Sequence, residues 1–241
     1  MKKCLIFQPI GLGDILFVQG IVEHLIKNGY EVHFPVHKFY FSLVKEYIVK
    51  NNLIWHNENG KYPLSEHYGK EQEASVGEDI YLPLTFADCY SRTQPMISKY
   101  FYMNIPVDDW RKGFDVQRKL DKEKELIKKY NLKGRYIIVN KQFNMPELKK
   151  KREINIESNL HIHEMSYEED LKNGFTLFDW IGALENAEEV HTVGTSVSYL
   201  VDKYCINNKI YCYERRLPGQ DRTYHEEIHL VHRNPNWIYM D

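Results

Sequence analysis

Short apolar runs and amphipathic stretches take turns along the first half of the chain. Residues 3–8 form an apolar run with polar ends, and residues 15–28 repeat apolar side chains every three or four positions. The first pattern predicts a buried strand and the second a helix with one face on the core. A strand at 30–35, a helical stretch at 37–51 and a strand at 53–56 continue the series. Strands that alternate with helices predict a parallel sheet, because parallel neighbours need a crossover that a helix supplies. Residues 57–77 are polar, carry Gly60, Pro63, Gly69 and Gly77, and show no period, which predicts a long surface loop. Residues 80–85 then read as another buried strand, and the aromatic-rich 91–103 as a helix closing the unit.

The pattern restarts in the second half. Residues 108–113 are polar, and 115–130 form a charged helical stretch with Leu120, Leu126, Ile127 and Tyr130 on its apolar side. This places a domain boundary between 114 and 115, giving domains 1–114 and 115–241. Residues 135–139 predict the first strand of the second unit, followed by a basic polar loop through 144–152 and short strands near 154–156 and 160–163. Thr176 and Asp179 have the spacing of a capping box opening a helix at 177–186. A strand at 190–193, a helix at 196–204 and a strand at 209–213 follow. The predicted fold class is α/β, with two Rossmann-like units facing each other across a cleft at the carboxyl ends of their sheets.

Charge and cysteine usage narrow the function classes. In 241 residues, 32 Lys and Arg oppose 34 Asp and Glu, which removes the electrostatic case for a dedicated nucleic-acid binder. No stretch approaches the roughly 18 apolar residues of a membrane span. Met1-Lys2-Lys3 leads straight into a strand, not into a signal-peptide core. A soluble, cytoplasmic protein without a transmembrane segment is expected. Cys4, Cys89, Cys205 and Cys212 contain no C-x-x-C pair and are expected as buried reduced thiols.

Chemistry first enters at Gly11-Leu12-Gly13-Asp14, between the first strand and the first helix. Glycines there let backbone N–H groups and a helix N-terminus approach a ligand. Asp14 would repel a phosphate lying against it, so the turn is not a simple phosphate cradle. Its carboxylate suits a group that receives a proton or holds a hydroxyl. Equally, it can serve as a first-turn acid that complements the helix dipole. A second such spot is His191-Thr192-Val193-Gly194-Thr195-Ser196, where a strand ends and a helix begins. Hydroxyls and free N–H groups at a helix N-terminus suit a phosphate or diphosphate, and they are also common helix caps.

Residues 193–200, Val-Gly-Thr-Ser-Val-Ser-Tyr-Leu, resemble the V-D-T-G-L-S-H-L segment of the ADP-heptose:lipopolysaccharide heptosyltransferase family. Gly11-Leu12-Gly13-Asp14 resembles that family's N-terminal G-x-G-D, and 176–187 fits its helix before the second motif. The resemblance implies a GT-B glycosyltransferase of two Rossmann domains, the first binding the acceptor and the second the nucleotide sugar. It also implies inversion at the anomeric carbon, no metal ion and no cofactor, with Asp14 as the general base. Gly13, Thr195, Ser196, Ser198 and Tyr199 fall in the resembling segments and are assigned to the donor. Gly194 replaces the aspartate that contacts the donor sugar, Ser196 a glycine and Tyr199 a histidine, so the sugar is not expected to be heptose. Gly20 stands where the family has a proline. A short, diverged hexosyl- or pentosyl-transferase is the implied activity.

Further donor contacts are expected from Lys141 and Gln142, just past the strand at 135–139, and from Arg215, with Arg216, after the strand at 209–213. Glu164 and Met165 fall where the family presents a loop to the nucleotide base. A lysine at the place of Lys141 is more often a solvated surface residue, and arginines after a strand are commonly solvated. His161 and His163 share a strand face without a third metal ligand and are expected in solvent. Asp108 and Asp109 lie in the inferred linker, and Lys149 to Arg152 form a basic patch that is usually just solvated.

The reading is an inverting, metal-independent glycosyltransferase moving a sugar from a nucleotide-sugar donor to a glycan, glycolipid, glycoprotein or other hydroxyl acceptor. The alternative is a non-catalytic nucleotide- or glycan-binding module that keeps a GT-B shell. A nicotinamide-dependent oxidoreductase ranks last, because the Gly11 motif lacks the third glycine of G-x-G-x-x-G.

Overall fold

A computed structural model describes residues 1–86, 95–145, 148–213, 231–232 and 235–240; for 95, 144–145 and 148–151 it describes the backbone. The chain divides into two compact units, Met1–Gln117 and Arg118–Asp241.

Unit 1 runs β1 (Lys2–Ile6), α1 (Leu12–Phe17), α2 (Gln19–Lys27), β2 (Tyr30–Val36), α3 (Lys38–Tyr47), β3 (Leu53–Asn57), β4 (Ala74–Val76), β5 (Asp79–Leu82), α4 (Pro95–Tyr102) and α5 (Asp109–Gly113). Its sheet has the order β3-β2-β1-β5-β4. The first four strands are parallel, and β4 runs back along β5. The chain steps outward from β1 to β3 and then returns to the other side of β1 as β5. That reversal opens a crevice between the carboxyl ends of β1 and β5.

The amphipathic stretch at 15–28 is two helices, broken at Val18. Gly20 lies where α2 meets α5: a Cβ there would stand 2.5 Å from the Tyr100 hydroxyl and 2.6 Å from the Asp109 carbonyl. A Cβ on Gly113 would likewise meet the Gln19 carbonyl at 2.5 Å. The two helices therefore close backbone to backbone, which only glycine permits. The expected surface loop at 57–77 instead covers one face of the sheet. Tyr62 and Leu64 are buried against Leu5 and Tyr81, with Phe7 and Tyr68 packed around them. Its few apolar residues follow no period, because they fill gaps over a sheet instead of lining an element's face.

Unit 2 runs α6 (Leu120–Lys129), β6 (Tyr136–Asn140), β7 (Gln142–Met145), β8 (Leu148–Lys151), β9 (His161–Glu164), α7 (Tyr167–Lys172), a 3₁₀ turn (Leu177–Trp180) leading into α8 (Ile181–Asn186), β10 (Glu189–Val193), α9 (Ser196–Tyr204), β11 (Lys209–Tyr213) and β12 (Trp237–Met240). The main sheet, β12-β11-β10-β6-β9, is parallel throughout. Here the order reverses between β6 and β10. All five residues of β6 are buried, as a central strand covered on both faces requires.

The Thr176–Asp179 capping box is present: Asp179 Oδ2 accepts from the Thr176 N–H at 2.7 Å and from its hydroxyl at 3.0 Å. The helix expected from 115 starts only at Leu120; before it, the Gln117 N–H donates to the Tyr47 carbonyl. The expected basic loop at 144–152 is largely a two-stranded ribbon, with β7 and β8 antiparallel. Residues 154–156 form no strand, yet Ile154 joins the core with Ile137, Val139, Phe143 and Val193. Arg118 ties α6 to α8, donating to both oxygens of buried Glu123 at 2.8 and 2.6 Å and to Glu185 at 2.9 Å. Among the described residues no helix is long and apolar enough to cross a membrane.

Candidate functional site

In unit 1 the crevice between β1 and β5 receives Asp14 from one side and Lys99 from the other. Gly11 makes the turn after β1 with φ 83°, a left-handed value that favours glycine. A Cβ at residue 11 would also lie 2.5 Å from Asp14 Oδ2, so the turn and the carboxylate need the same empty space. Asp14 caps no N–H of α1, which has no side-chain cap. Its Oδ1 instead accepts from Lys99 Nζ at 2.5 Å. Lys99 comes from α4, the helix following β5. Its side chain is 5% exposed, against 34% for that of Asp14. Beside these groups, the His37 N–H donates to the Pro9 carbonyl at 2.8 Å, joining the turns after β1 and β2. Ile10 and Phe39 stand exposed on that rim.

In unit 2 the crevice between β6 and β10 is built from neutral groups. Asn140 ends β6, and its amide donates to the hydroxyls of Thr192 and Thr195, both at 3.1 Å. Thr195 caps α9: its Oγ1 accepts from the Val197 N–H at 3.3 Å, and its own N–H donates to Ser198 Oγ at 3.1 Å. The hydroxyl and N–H of Ser196 have no hydrogen-bond partner among the described residues. They sit at the positive end of a nine-residue helix, the arrangement that receives an anion. On the other side of β6, Lys141 Nζ pairs with Glu164 Oε2 at 3.1 Å. Both line a cavity of about 380 Å³ walled by Val139, Ile154, Ile156 and Ile162.

Solved structures resemble this chain in fold. Over 99% of its length the chain superposes on a glycosyl transferase family 9 protein from Veillonella parvula, covering 85% of it with a TM-score of 0.56 at 10% identity. The chain has a GT-B glycosyltransferase fold. Another match is the E. coli ADP-heptose lps heptosyltransferase II, with 100% of this chain and 90% of that one covered, TM-score 0.48 and 7% identity. No protein-family model and no curated protein matches the sequence.

Within this GT-B fold, the residues singled out from the sequence fall into distinct environments. Asp14 and Gly13 lie in the first turn of α1, and Thr195 and Ser196 at the start of α9. Ser198 is buried, and its hydroxyl is engaged by the Thr195 N–H and the Val193 carbonyl. Tyr199 is buried, with its ring edge-on to His232 at 5.0 Å. Met165 is buried and its N–H already donates to the Val139 carbonyl at 2.9 Å. Gln142 opens β7, paired with Lys151. Arg215, Arg216 and Cys89 lie outside the described residues. His163, expected in solvent, packs against the stacked rings of Tyr130 and Trp180 at 4.6 and 5.4 Å, and burial lowers its pKa below the ordinary 6.5. Asp109 opens α5 and pairs with Lys112 at 2.6 Å. Among the described residues no group of three or more His, Cys, Asp or Glu is placed to hold a metal ion.

Sequence reasoning missed Lys99 and Asn140. Lys99 carried a signal: it lies three residues after Met96 and one before buried Tyr100, a charge on the core face of an apolar helix. Asn140 carried one as well, as the polar last residue of an otherwise apolar strand.

Proposed function

We propose that the chain is an inverting, metal-independent glycosyltransferase that moves a sugar from a nucleotide-sugar donor to a hydroxyl of a glycan, glycolipid or glycoprotein. The observation that carries this reading is a partly exposed carboxylate, Asp14, at the strand-order reversal of unit 1 in a chain with a glycosyltransferase-like fold. In the reaction the acceptor oxygen attacks the anomeric carbon from the face opposite the leaving group, and Asp14 takes its proton. The bond from that carbon to the phosphate oxygen breaks, and its electron pair leaves with the nucleoside diphosphate. Negative charge then grows on the diphosphate, where the Ser196 hydroxyl and N–H and the N-terminal dipole of α9 stabilise it. Thr195 and Asn140 hold the start of α9 against the end of β6.

A non-catalytic shell is the second reading, and one observation favours it: Asp14 already serves as counter-ion to a buried lysine. The two separate experimentally. Thermal shifts with UDP, GDP, ADP and CDP identify the donor class, because a ligand bound only to the folded chain raises its stability. Sugar transfer from the matching nucleotide sugars is then compared between wild type and Asp14→Asn. Loss of transfer with nucleotide binding retained supports the base; equal transfer by both chains overturns it.

A further inference from the structure

We propose that Lys99 is the positioning residue of Asp14, gripping Oδ1 so that Oδ2 alone is left to receive the acceptor's proton; this rests on the reading of Asp14 as the base. Burial within the pair is lopsided. A structural ion pair of the interior has both partners buried, and a surface pair has both in water. Here the ammonium is enclosed and the carboxylate opens outward. The anchor is therefore on the lysine side, and the aspartate is the end left to work.

Three further observations point the same way. Asp14 bonds no N–H of α1, so the helix does not hold its side chain. Among the described residues Lys99 Nζ has one other hydrogen-bond partner, the Met96 sulfur at 3.5 Å, so its charge is directed at Asp14. Asp14 Oδ2 has no hydrogen-bond partner among the described residues, and it lies over Gly11, where any side chain would claim its space. The pairing also follows from topology. Asp14 comes from the helix after β1 and Lys99 from the helix after β5, the two strands that border the crevice. A buried ammonium is costly without a carboxylate in good geometry, so the lysine restricts the aspartate to one orientation.

The test measures orientation directly and needs no turnover. In the full-length ¹³C,¹⁵N-labelled chain, three-bond couplings from Asp14 Cγ to its backbone nitrogen and carbonyl report χ1 in wild type, Lys99→Met and Lys99→Arg. A single rotamer is expected in wild type and in Lys99→Arg, and rotamer averaging in Lys99→Met. With the nucleotide sugar that wild type uses, kcat of Lys99→Met falls by about 10²-fold, the cost of a misplaced reacting group, with acceptor KM unchanged; Lys99→Arg restores most of it. An undisturbed Asp14 rotamer in folded Lys99→Met overturns the proposal. Should Lys99→Met fail to fold, Lys99→Gln, which keeps a donor without charge or reach, takes its place under the same criterion. A wild-type chain that transfers no sugar would refute Asp14 as the base, and the couplings would still decide the role of Lys99.

Discussion

The two units solve one problem with opposite chemistry. Each reverses its strand order beside its first strand, β1 or β6, and each starts a helix at that point. Unit 1 makes its turn with an uncapped glycine and leaves a carboxylate exposed beside a buried ammonium. Unit 2 makes its turn with a capped threonine, tied by an asparagine, and leaves a hydroxyl and an N–H. The first is suited to accept a proton and the second to hold an anion. Each reversal thus carries its own chemistry, on the helix after β1 in unit 1 and on the helix after β10 in unit 2, and the difference lies in a handful of turn residues. The units differ also in where they bury charge. Unit 1 has its buried lysine at the site; unit 2 has Glu123 and Asp170 buried within the scaffold, each satisfied by side-chain donors.

The largest effect breaks the comparison on the unit 1 side. Asp14→Asn is expected to lower kcat by about 10²–10⁴-fold, the usual worth of a general base. It also strands the Lys99 ammonium, costing about 3 kcal/mol, the low end for a broken buried pair because Asp14 is partly exposed. The double variant Asp14→Asn/Lys99→Met separates the two. Urea unfolding is expected to show recovered stability while the transfer assay shows none; recovery of both would remove Asp14 from the chemistry.

Arg118→Met asks the parallel question of unit 2, where the buried Glu123 is paired between α6 and α8. Glu123 loses the donors to both its oxygens, and its Oε2 sits in the space that glycine leaves at 182, where a Cβ would stand 2.5 Å away. A loss of about 3 kcal/mol by urea denaturation is expected, with nucleotide affinity unchanged. A change in affinity would mean that the scaffold and site of unit 2 are not separable.

How much of this was legible in the sequence depends on whether a residue acts locally. Residues 196–204 and 209–213 read from periodicity are the helix and strand observed, and the Thr176–Asp179 box is an interaction between near neighbours. Asp14 was legible because glycine, glycine and acid sit together between a strand and a helix. Lys99 was not assigned, since its partner is 85 residues away and meets it only through the position of β5 beside β1. The same holds for Asn140 and Thr195, 55 residues apart. The cover at 57–77 and strands β4 and β12 escaped notice because short, irregular apolar spacing carries no period, and their order comes from the sheet they join.

Acid sharpens the comparison further, because both units carry Glu-Val-His on a parallel strand: Glu31-Val32-His33 on β2 and Glu189-Val190-His191 on β10. Each histidine bonds the glutamate two residues back, at 3.0 and 3.2 Å. Burial lowers both imidazole pKa values below 6.5, and the glutamates only partly oppose it. The unfolded chain therefore binds more protons below pH 6.5, and stability falls as pH drops from there through the folded values, by at most about 1.4 kcal/mol per pH unit for each histidine. The second nitrogen decides which unit yields first. His33 Nδ1 faces His56 Nε2 at 2.9 Å, and the pKa of His56 is itself lowered by burial and by His33. His191 Nδ1 faces the Tyr213 hydroxyl at 2.8 Å, which can turn to accept from an imidazolium. On lowering pH, amide protection factors, which are corrected for the intrinsic exchange rate, are expected to fall on β2 and β3 before β10 and β11; the reverse order would contradict this account.

The smallest effect tests unit 2's turn. Thr195→Ala removes the acceptor for the Val197 N–H and for one of the two Asn140 amide bonds, while the Thr195 N–H still reaches Ser198. About 1 kcal/mol of stability is expected to go, as for a lost N-cap, and Thr195→Ser is expected to retain it. If the start of α9 receives the diphosphate, affinity for the stabilising nucleoside diphosphate must fall in Thr195→Ala and hold in Thr195→Ser, because the loosened first turn no longer presents the Ser196 N–H in one place. Equal affinity in both variants, at the expected stability loss, would leave the capped turn as scaffold. The contrast would then narrow to Asp14 and Lys99, with the anion received elsewhere in unit 2, and the Lys141–Glu164 cavity would be the place to look.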